Sequence, residues 1–279
     1  MQLTTVMRFV KLEHTLFSLP LIFSGAILAA NGLISGQLAL LMLLAAVGAR
    51  TVALALNRMI DHKIDKLNSR TAGRELPAGR MTLAQAAAVM LTGLALYFVS
   101  AGLIGRFCLL WSPLPLAVFL FYPYMKRFTP LAHFGVGLGL AMAPLAGWVA
   151  VTQSLENLFP GLLFALFALL WVAGFDIIYA TLDEEFDRRA HLHSLPAALG
   201  RTRALRVSAL LHALAFVVLV VIFARYIRSL PATPFLAAAG FLLYLEQAKA
   251  GDVELAFFKI NAVLGFVVFV MVVVGVHFP

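Results

Sequence analysis

The sequence predicts an all-α, polytopic membrane protein, a bundle of nine transmembrane helices around a central cavity. Two observations carry this. Of the 279 residues, 62% are apolar and 12% charged, with a mean hydropathy of +0.97, which leaves too little polar surface to cover a water-soluble globule. Long apolar runs also recur from end to end, each near the roughly 20 residues that a helix needs to cross ~30 Å of hydrocarbon. They are too long and too uniformly apolar for barrel strands, and backbone groups in lipid must be paired within their own segment, so helices are the reading.

The spans fall near 16–35, 37–57, 83–104, 108–124, 131–151, 159–179, 204–224, 232–248 and 256–276. The first is taken as a span and not a cleaved leader, because no small-residue cleavage pattern follows it. No stretch is polar enough for a separate soluble domain, so residues 1–279 are expected to form one transmembrane domain. Cys108 stands alone, which excludes an internal disulfide, and no Cys–His spacing suggests zinc.

A net charge of +8 raises nucleic acid as a partner, but in a membrane chain it reports topology. Arg8 and Lys11 precede the first span, and further basic residues fill every second loop thereafter. In all, 17 Lys and Arg lie on that side against Arg106, Arg225 and Arg228 on the other, with Arg50 inside a span. The amino terminus is therefore expected in the cytoplasm and the carboxyl terminus opposite, in the cell's inner membrane. The lipid bilayer is the expected environment, with neither nucleic acid nor a protein partner implied.

The acidic residues concentrate in two stretches, Asn57-Arg-Met-Ile-Asp61-His-Lys-Ile-Asp65 and Asp176-Ile-Ile-Tyr179-Ala-Thr-Leu-Asp183-Glu-Glu-Phe-Asp187. Asp61 and Asp65 lie 122 residues before Asp183 and Asp187, and Asn57 and Tyr179 keep the offset. This suggests an internal repeat of helix plus acidic pair around 37–80 and 159–201. Helical spacing puts Arg50, Asn57 and Asp61 on one face, and Asp176, Asp183 and Asp187 on another. Like charges four apart disfavour a helix, and a divalent cation supplies what is missing. Oxygen donors without Cys or clustered His favour Mg²⁺, which completes its shell with water and phosphate oxygens. Arg70, Arg74 and Lys126 nearby suit the remaining oxygens of a diphosphate, although each also reads as a topology signal.

Asn57-x-x-x-Asp61-x-x-x-Asp65, followed by Asn68-Ser-Arg70-Thr-Ala-Gly-Arg74-Glu-Leu-Pro77-Ala-Gly79, resembles the first aspartate motif of the UbiA superfamily of intramembrane prenyltransferases. Tyr179-Ala-Thr-Leu-Asp183-x-x-x-Asp187 resembles its second motif, Tyr122-Pro-Tyr-Met-Lys126-Arg127 its Tyr-x-x-x-Lys segment, and Phe257-Phe-Lys-Ile-Asn261 a further segment. The resemblance implies Mg²⁺-dependent transfer of a polyprenyl group from polyprenyl diphosphate to an aromatic acceptor, with the active site towards the cytoplasm. By analogy Asn57, Asp61 and Asp65 hold one Mg²⁺ and Asp183 with Asp187 a second. Arg70, Arg74, Lys126, Asn68 and Tyr122 bind the diphosphate.

Aromatic faces at Tyr122, Tyr124 or Tyr179 suit a developing allylic cation, or belong to the interfacial aromatic belt. Asp176, one step deeper than the acidic pair, is an acceptor-orienting residue or base, or a carboxylate paired with Arg50 or a tyrosine hydroxyl. Arg50 assists catalysis or offsets Asp61, and His14 touches the acceptor or sits at the interface. Arg58 and Glu75 depart from the family pattern, which often has an acid and a proline there. The opening Lys11-Leu-Glu13-His14-Thr15-Leu-Phe17-Ser-Leu-Pro20 is similar to a subgroup linked to quinone synthesis, so the expected acceptor is 4-hydroxybenzoate or a related ubiquinone or menaquinone precursor, including one of the futalosine route. A transporter would instead hold its charges near the midplane, and a scaffold without turnover would not need all four aspartates.

Overall fold

The computed structural model describes residues 3–11, 18–253 and 255–278; His14 lies outside these. The described residues form helices and turns without a strand. In chain order the helices are α1 (Leu3–Val10), α2 (Ser18–Ala30), α3 (Gly36–Leu67), α4 (Leu83–Ile104), α5 (Arg106–Trp111), α6 (Pro113–Met125), α7 (Ala132–Thr152) and α8 (Phe159–Ala180). They continue as α9 (Glu184–Arg189), α10 (Leu195–Leu199), α11 (Arg201–Ile222), α12 (Thr233–Ala248) and α13 (Asn261–His277), with single π-helical turns over Phe223–Ile227 and Leu255–Ile260.

Among the described residues six segments are long and apolar enough to cross a membrane: α3, α4, α5 with α6, α7, α8, and α11 with its π turn. The expected count of nine is thus not met by length. The other three expected spans fold as α2, α12 and α13, of 13, 16 and 17 residues. Local chemistry sets the ends. Ser35 accepts from the Leu38 amide at the start of α3, and Thr82 with Gln85 forms a capping box at α4. Proline occupies the first turn of α6, α8 and α12, where its missing N–H costs nothing.

Helix α8 is the axis of the bundle. Phe164, Phe167, Trp171, Val172, Ile177 and Ile178 have no solvent exposure, and its apolar window is more deeply buried than that of any other span among the described residues. In lipid the hydrophobic effect does not drive helices together, so close packing must. Small residues on α7 provide it. A Cβ on Gly137 would meet the Leu169 carbonyl of α8, one on Gly147 would run into the Ile22 carbonyl of α2, and one on Gly25 into the Pro144 carbonyl of α7. Polar ties add to this: the Trp171 indole donates to Asn261 Oδ1 at 2.6 Å, and Asn261 Nδ2 donates to the buried Glu246 at 2.8 Å, which fastens the start of α13 and the end of α12 to α8.

The helices on the other side of α7 do not close up. Ala45, Ala46, Ala49 and Ala53 of α3 and Gly139, Ala143, Ala146 and Ala150 of α7 are too small to fill the space between them, and an apolar cavity of about 510 Å³ remains, lined also by Tyr97, Phe119 and Leu140. Its lining along α7 runs from Val136 to Ala150, about 20 Å at 1.5 Å per residue.

Replacing Gly147 with alanine is expected to cost about 1–3 kcal/mol, because the new methyl meets backbone. Gly36→Ala, where a Cβ has open space, is expected to stay within about 0.5 kcal/mol. Thermal unfolding in detergent compares the two.

Candidate active site

The first acidic pair lies on the last turns of α3, which continues as one helix beyond the apolar run. Asp61 is 1% exposed and Asp65 5%, a burial that demands countercharge. The demand is met from other segments. Lys126 Nζ, just past α6, donates to Asp61 Oδ2 at 2.6 Å, and Asn57 Nδ2 reaches the same oxygen at 3.4 Å. Arg127 donates to the Ile60 carbonyl at 2.9 Å and stops 3.6 Å from Asp61 Oδ1, which is left buried without a hydrogen bond. Arg74 Nη1 donates to Asp65 Oδ2 at 2.8 Å, and the Thr71 hydroxyl to the Asp65 carbonyl at 2.9 Å.

The loop 68–80 joins this pair to the second motif. Asn68 accepts from the Arg70 amide at 3.0 Å and donates Nδ2 to Asp183 Oδ1 at 2.8 Å. Arg70 grips Asp183 with two parallel bonds, Nε to Oδ1 at 2.8 Å and Nη2 to Oδ2, the geometry that favours arginine over lysine. Its Nη1 donates to the Tyr179 hydroxyl at 2.6 Å, and the guanidinium carbon lies 4.8 Å from the Tyr179 ring centre. Burial works against the Arg70 charge, but Asp183 and Tyr179 outweigh it and hold its pKa above the ordinary value.

The second motif departs from the single stripe expected for it. Helix α8 ends at Ala180 with the Thr181 hydroxyl donating to the Ile178 carbonyl, and Asp183 stands at the N-cap of α9, which carries Asp187. Three loop residues therefore separate Asp176 and Tyr179 on α8 from Asp187. Burial raises the Asp187 carboxyl above its usual range, offset in part by a hydrogen bond with Ser194. Next to Ser194, the His193 amide donates to the Lys126 carbonyl at 2.7 Å, so this loop is seated on the end of α6.

Deeper in, Asp176 is held by a residue that no spacing in the sequence marks. His133 on α7 places its Nδ1 2.7 Å from Asp176 Oδ2. Tyr122 and Arg50 line the apolar cavity. Arg58 and Glu75, the two departures from the family pattern, prove to be one feature. They form a buried pair at 2.6 Å, with Arg58 over the ring of the fully buried Phe9, so a change at one position is matched by the change at the other.

Among the described residues no three His, Cys, Asp or Glu side chains converge closely enough to hold a metal ion alone. The donor set still fits magnesium, which binds through one or two carboxylates and takes its other oxygens from water and phosphate. Two acidic pairs paired with Arg and Lys, a buried Asp61 oxygen without a hydrogen bond, and an apolar cavity whose lining includes Arg50 and Tyr122 suit a charged head on a long apolar tail.

A helical membrane bundle with such a site defines an enzyme of amphipathic anions. Residues 18–263 match the UbiA prenyltransferase family, and the chain belongs to that family: it is an integral membrane prenyltransferase. It is 27% identical over 280 residues to the 4-hydroxybenzoate octaprenyltransferase of Haemophilus ducreyi, covering 98% of this chain and 99% of the relative. The apo structure of a UbiA homolog from Aeropyrum pernix K1 superposes with a TM-score of 0.87 at 37% identity, covering 94% and 98% of the two chains. A UbiA homolog from Archaeoglobus fulgidus, bound to GPP and Mg²⁺, shares the fold with a TM-score of 0.72 at 20% identity, covering 96% and 99%.

Arg58→Ala strands a buried carboxylate and is expected to cost about 3–5 kcal/mol, whereas replacing Arg58 and Glu75 together by apolar residues of similar size is expected to recover most of that loss. Thermal unfolding of the single and double variants measures the difference.

Proposed function

We propose that this enzyme transfers a polyprenyl group from polyprenyl diphosphate to an aromatic acceptor, 4-hydroxybenzoate or a related precursor, in respiratory quinone synthesis. It works at the cytoplasmic side of the inner membrane, with its amino terminus in the cytoplasm, as the 17-to-3 division of basic residues supports. The observation that carries the reading is the set of ion pairs Lys126–Asp61, Arg74–Asp65 and Arg70–Asp183, together with an apolar cavity of about 510 Å³ lined in part by Arg50 and Tyr122. The Haemophilus relative, a 4-hydroxybenzoate octaprenyltransferase, supports the acceptor class. The GPP and Mg²⁺ in the Archaeoglobus structure support the donor and the metal.

Asp61 and Asp65 with Asn57, and Asp183 with Asp187, would hold Mg²⁺. Bound there, the metal supplies Lewis-acid charge that stabilises the departing diphosphate. The chain's own cations do the rest. When the diphosphate enters, Arg70, Arg74 and Lys126 turn from the carboxylates to phosphate oxygens, with Asn68 and Tyr122 as further donors, and the carboxylates become available to metal. The site thus avoids a bare buried charge before and after binding. The prenyl tail lies in the apolar cavity, which excludes water.

Transfer then breaks the C–O bond, with its electron pair leaving on the diphosphate, and the allylic carbon develops positive charge. The faces of Tyr122 and Tyr179 stabilise that charge. The acceptor ring attacks it, Asp176 orients the acceptor, and Arg50 balances charge at the cavity head.

Purified enzyme with Mg²⁺, labelled polyprenyl diphosphate and 4-hydroxybenzoate is expected to form prenylated acceptor, and chelation is expected to abolish it. Asp61→Ala and Asp183→Ala are each expected to lower the rate by about 100-fold or more. Transfer only to a futalosine-type acceptor would keep the mechanism and change the pathway; diphosphate never released from folded protein would sink the reading.

A further inference from the structure

We propose that His133 is a positioning residue for Asp176, fixing that carboxylate as the base which accepts the hydroxyl proton of a phenolic acceptor. This deepens the proposed transfer to an aromatic acceptor and rests on it.

The neighbours of His133 fix its tautomer. It is 3% exposed, and both its ring nitrogens are engaged. The Leu195 backbone amide points at Nε2 from 3.2 Å. An amide N–H only donates, so Nε2 is the accepting nitrogen and the ring proton sits on Nδ1. That proton is donated to Asp176 Oδ2 at 2.7 Å. One tautomer of a neutral imidazole satisfies both bonds. The carboxylate is therefore anchored through Oδ2, while its side chain keeps 22% exposure. Oδ1 is left to a ligand.

The far side of the imidazole ties this carboxylate to the donor site. Leu195 opens α10 directly after Ser194, whose hydroxyl accepts from the Ala197 amide at the helix cap and bonds to Asp187. The same short loop seats its His193 amide on the Lys126 carbonyl. Residues 187–195 thus include a proposed metal ligand, Asp187, and touch a proposed diphosphate ligand, Lys126, and the accepting nitrogen of His133.

A carboxylate anchored through one oxygen, with the other making no hydrogen bond among the described residues, selects an acceptor that brings a hydrogen-bond donor to it. A phenolic hydroxyl does so. Its proton passes to Asp176 Oδ1 as the ring carbon bonds to the allylic carbon and the C–O pair leaves with the diphosphate. Tautomerisation of the resulting dienone returns a proton to oxygen and releases the ring proton. The balance is one prenylated phenol, one diphosphate and one proton.

Two amide substitutions separate the two bonds of His133. In His133→Asn the amide nitrogen falls near the position of Nδ1 and keeps the donation to Asp176, while in His133→Gln the amide falls near Nε2 and keeps only the tie to Leu195. The measurement is the fraction of released diphosphate that appears as prenylated acceptor, the remainder being prenyl alcohol, together with KM for the donor and the unfolding temperature. His133→Gln and Asp176→Asn are each expected to lower that fraction roughly 10–100-fold with donor KM within about twofold, whereas His133→Asn keeps it within about threefold of wild type. The double variant His133→Gln, Asp176→Asn is expected to be no worse than Asp176→Asn alone, since one residue acts through the other. Equal losses in His133→Asn and His133→Gln, full coupling in Asp176→Asn, or additive losses in the double variant would each overturn the assignment while leaving prenyl transfer by the wild type intact. Absence of transfer by the wild type itself would remove the function on which the inference rests.

Discussion

The grip of Arg70 on Asp183 and Tyr179 joins the two halves of the site, and much else follows from it. Arg70 belongs to the loop behind α3, while Asp183 and Tyr179 belong to the end of α8. The carboxylates of the first motif, Asp61 and Asp65, sit where water is scarce, and an unpaired charge there costs several kcal/mol. A pair 4 Å apart recovers about 4 kcal/mol at an effective dielectric near 20, so these acids need cations supplied from outside their own helix. Lys126 reaches Asp61 and Arg74 reaches Asp65 for the same reason.

The same demand makes the site ready for a polyanion. In the proposed reaction the cations need only change partners when phosphate oxygens arrive, and the loop 68–80 that carries two of them is held by its own bonds, from Thr71 to the Asp65 carbonyl and from Arg80 to the Gly73 carbonyl. Charge that is already oriented in a dry setting stabilises a developing diphosphate more than mobile water does, because nothing has to reorient at the moment of reaction. The apolar part of the site has a different origin. On the α2 and α8 sides of α7, small residues bring backbones into contact, whereas on its α3 side the facing surfaces are both lined with alanine and glycine, and a void remains. Similar residue types give contact in one place and a cavity in the other, according to whether the facing helix can approach.

Most span positions were legible because lipid imposes a simple rule. An apolar run of sufficient length must be a helix, and the expected bounds 83–104 and 159–179 agree with α4 and α8 to within one residue. The shortfalls occur where that rule loosens. The chain near α2 and α13 is interrupted by non-helical or π-helical backbone, which a hydropathy count does not register. The candidate site was legible by type, since Asp, Asn, Arg and Lys at motif spacing are rare in such a chain. Its partnerships were not. The motif Asp183-x-x-x-Asp187 looks like a helical repeat of Asp61-x-x-x-Asp65, yet α8 stops before it at Ala180, and Asp183 stands at the N-cap of the separate short helix α9. Arg58 and Glu75 read singly as departures from a pattern and become intelligible only as a pair across a loop.

Composition and local spacing by themselves determined that this chain is a helical membrane protein, where its main spans lie, and which residue types carry the chemistry, because hydrophobic length and charge scarcity are properties of short segments. Tertiary structure alone decided that Asp176 meets His133, that Arg70 bridges the two motifs, and that a cavity opens beside α7. Those facts depend on which side chains face one another across separate helices. A periodicity records the face a residue occupies, and it holds no information about what stands opposite.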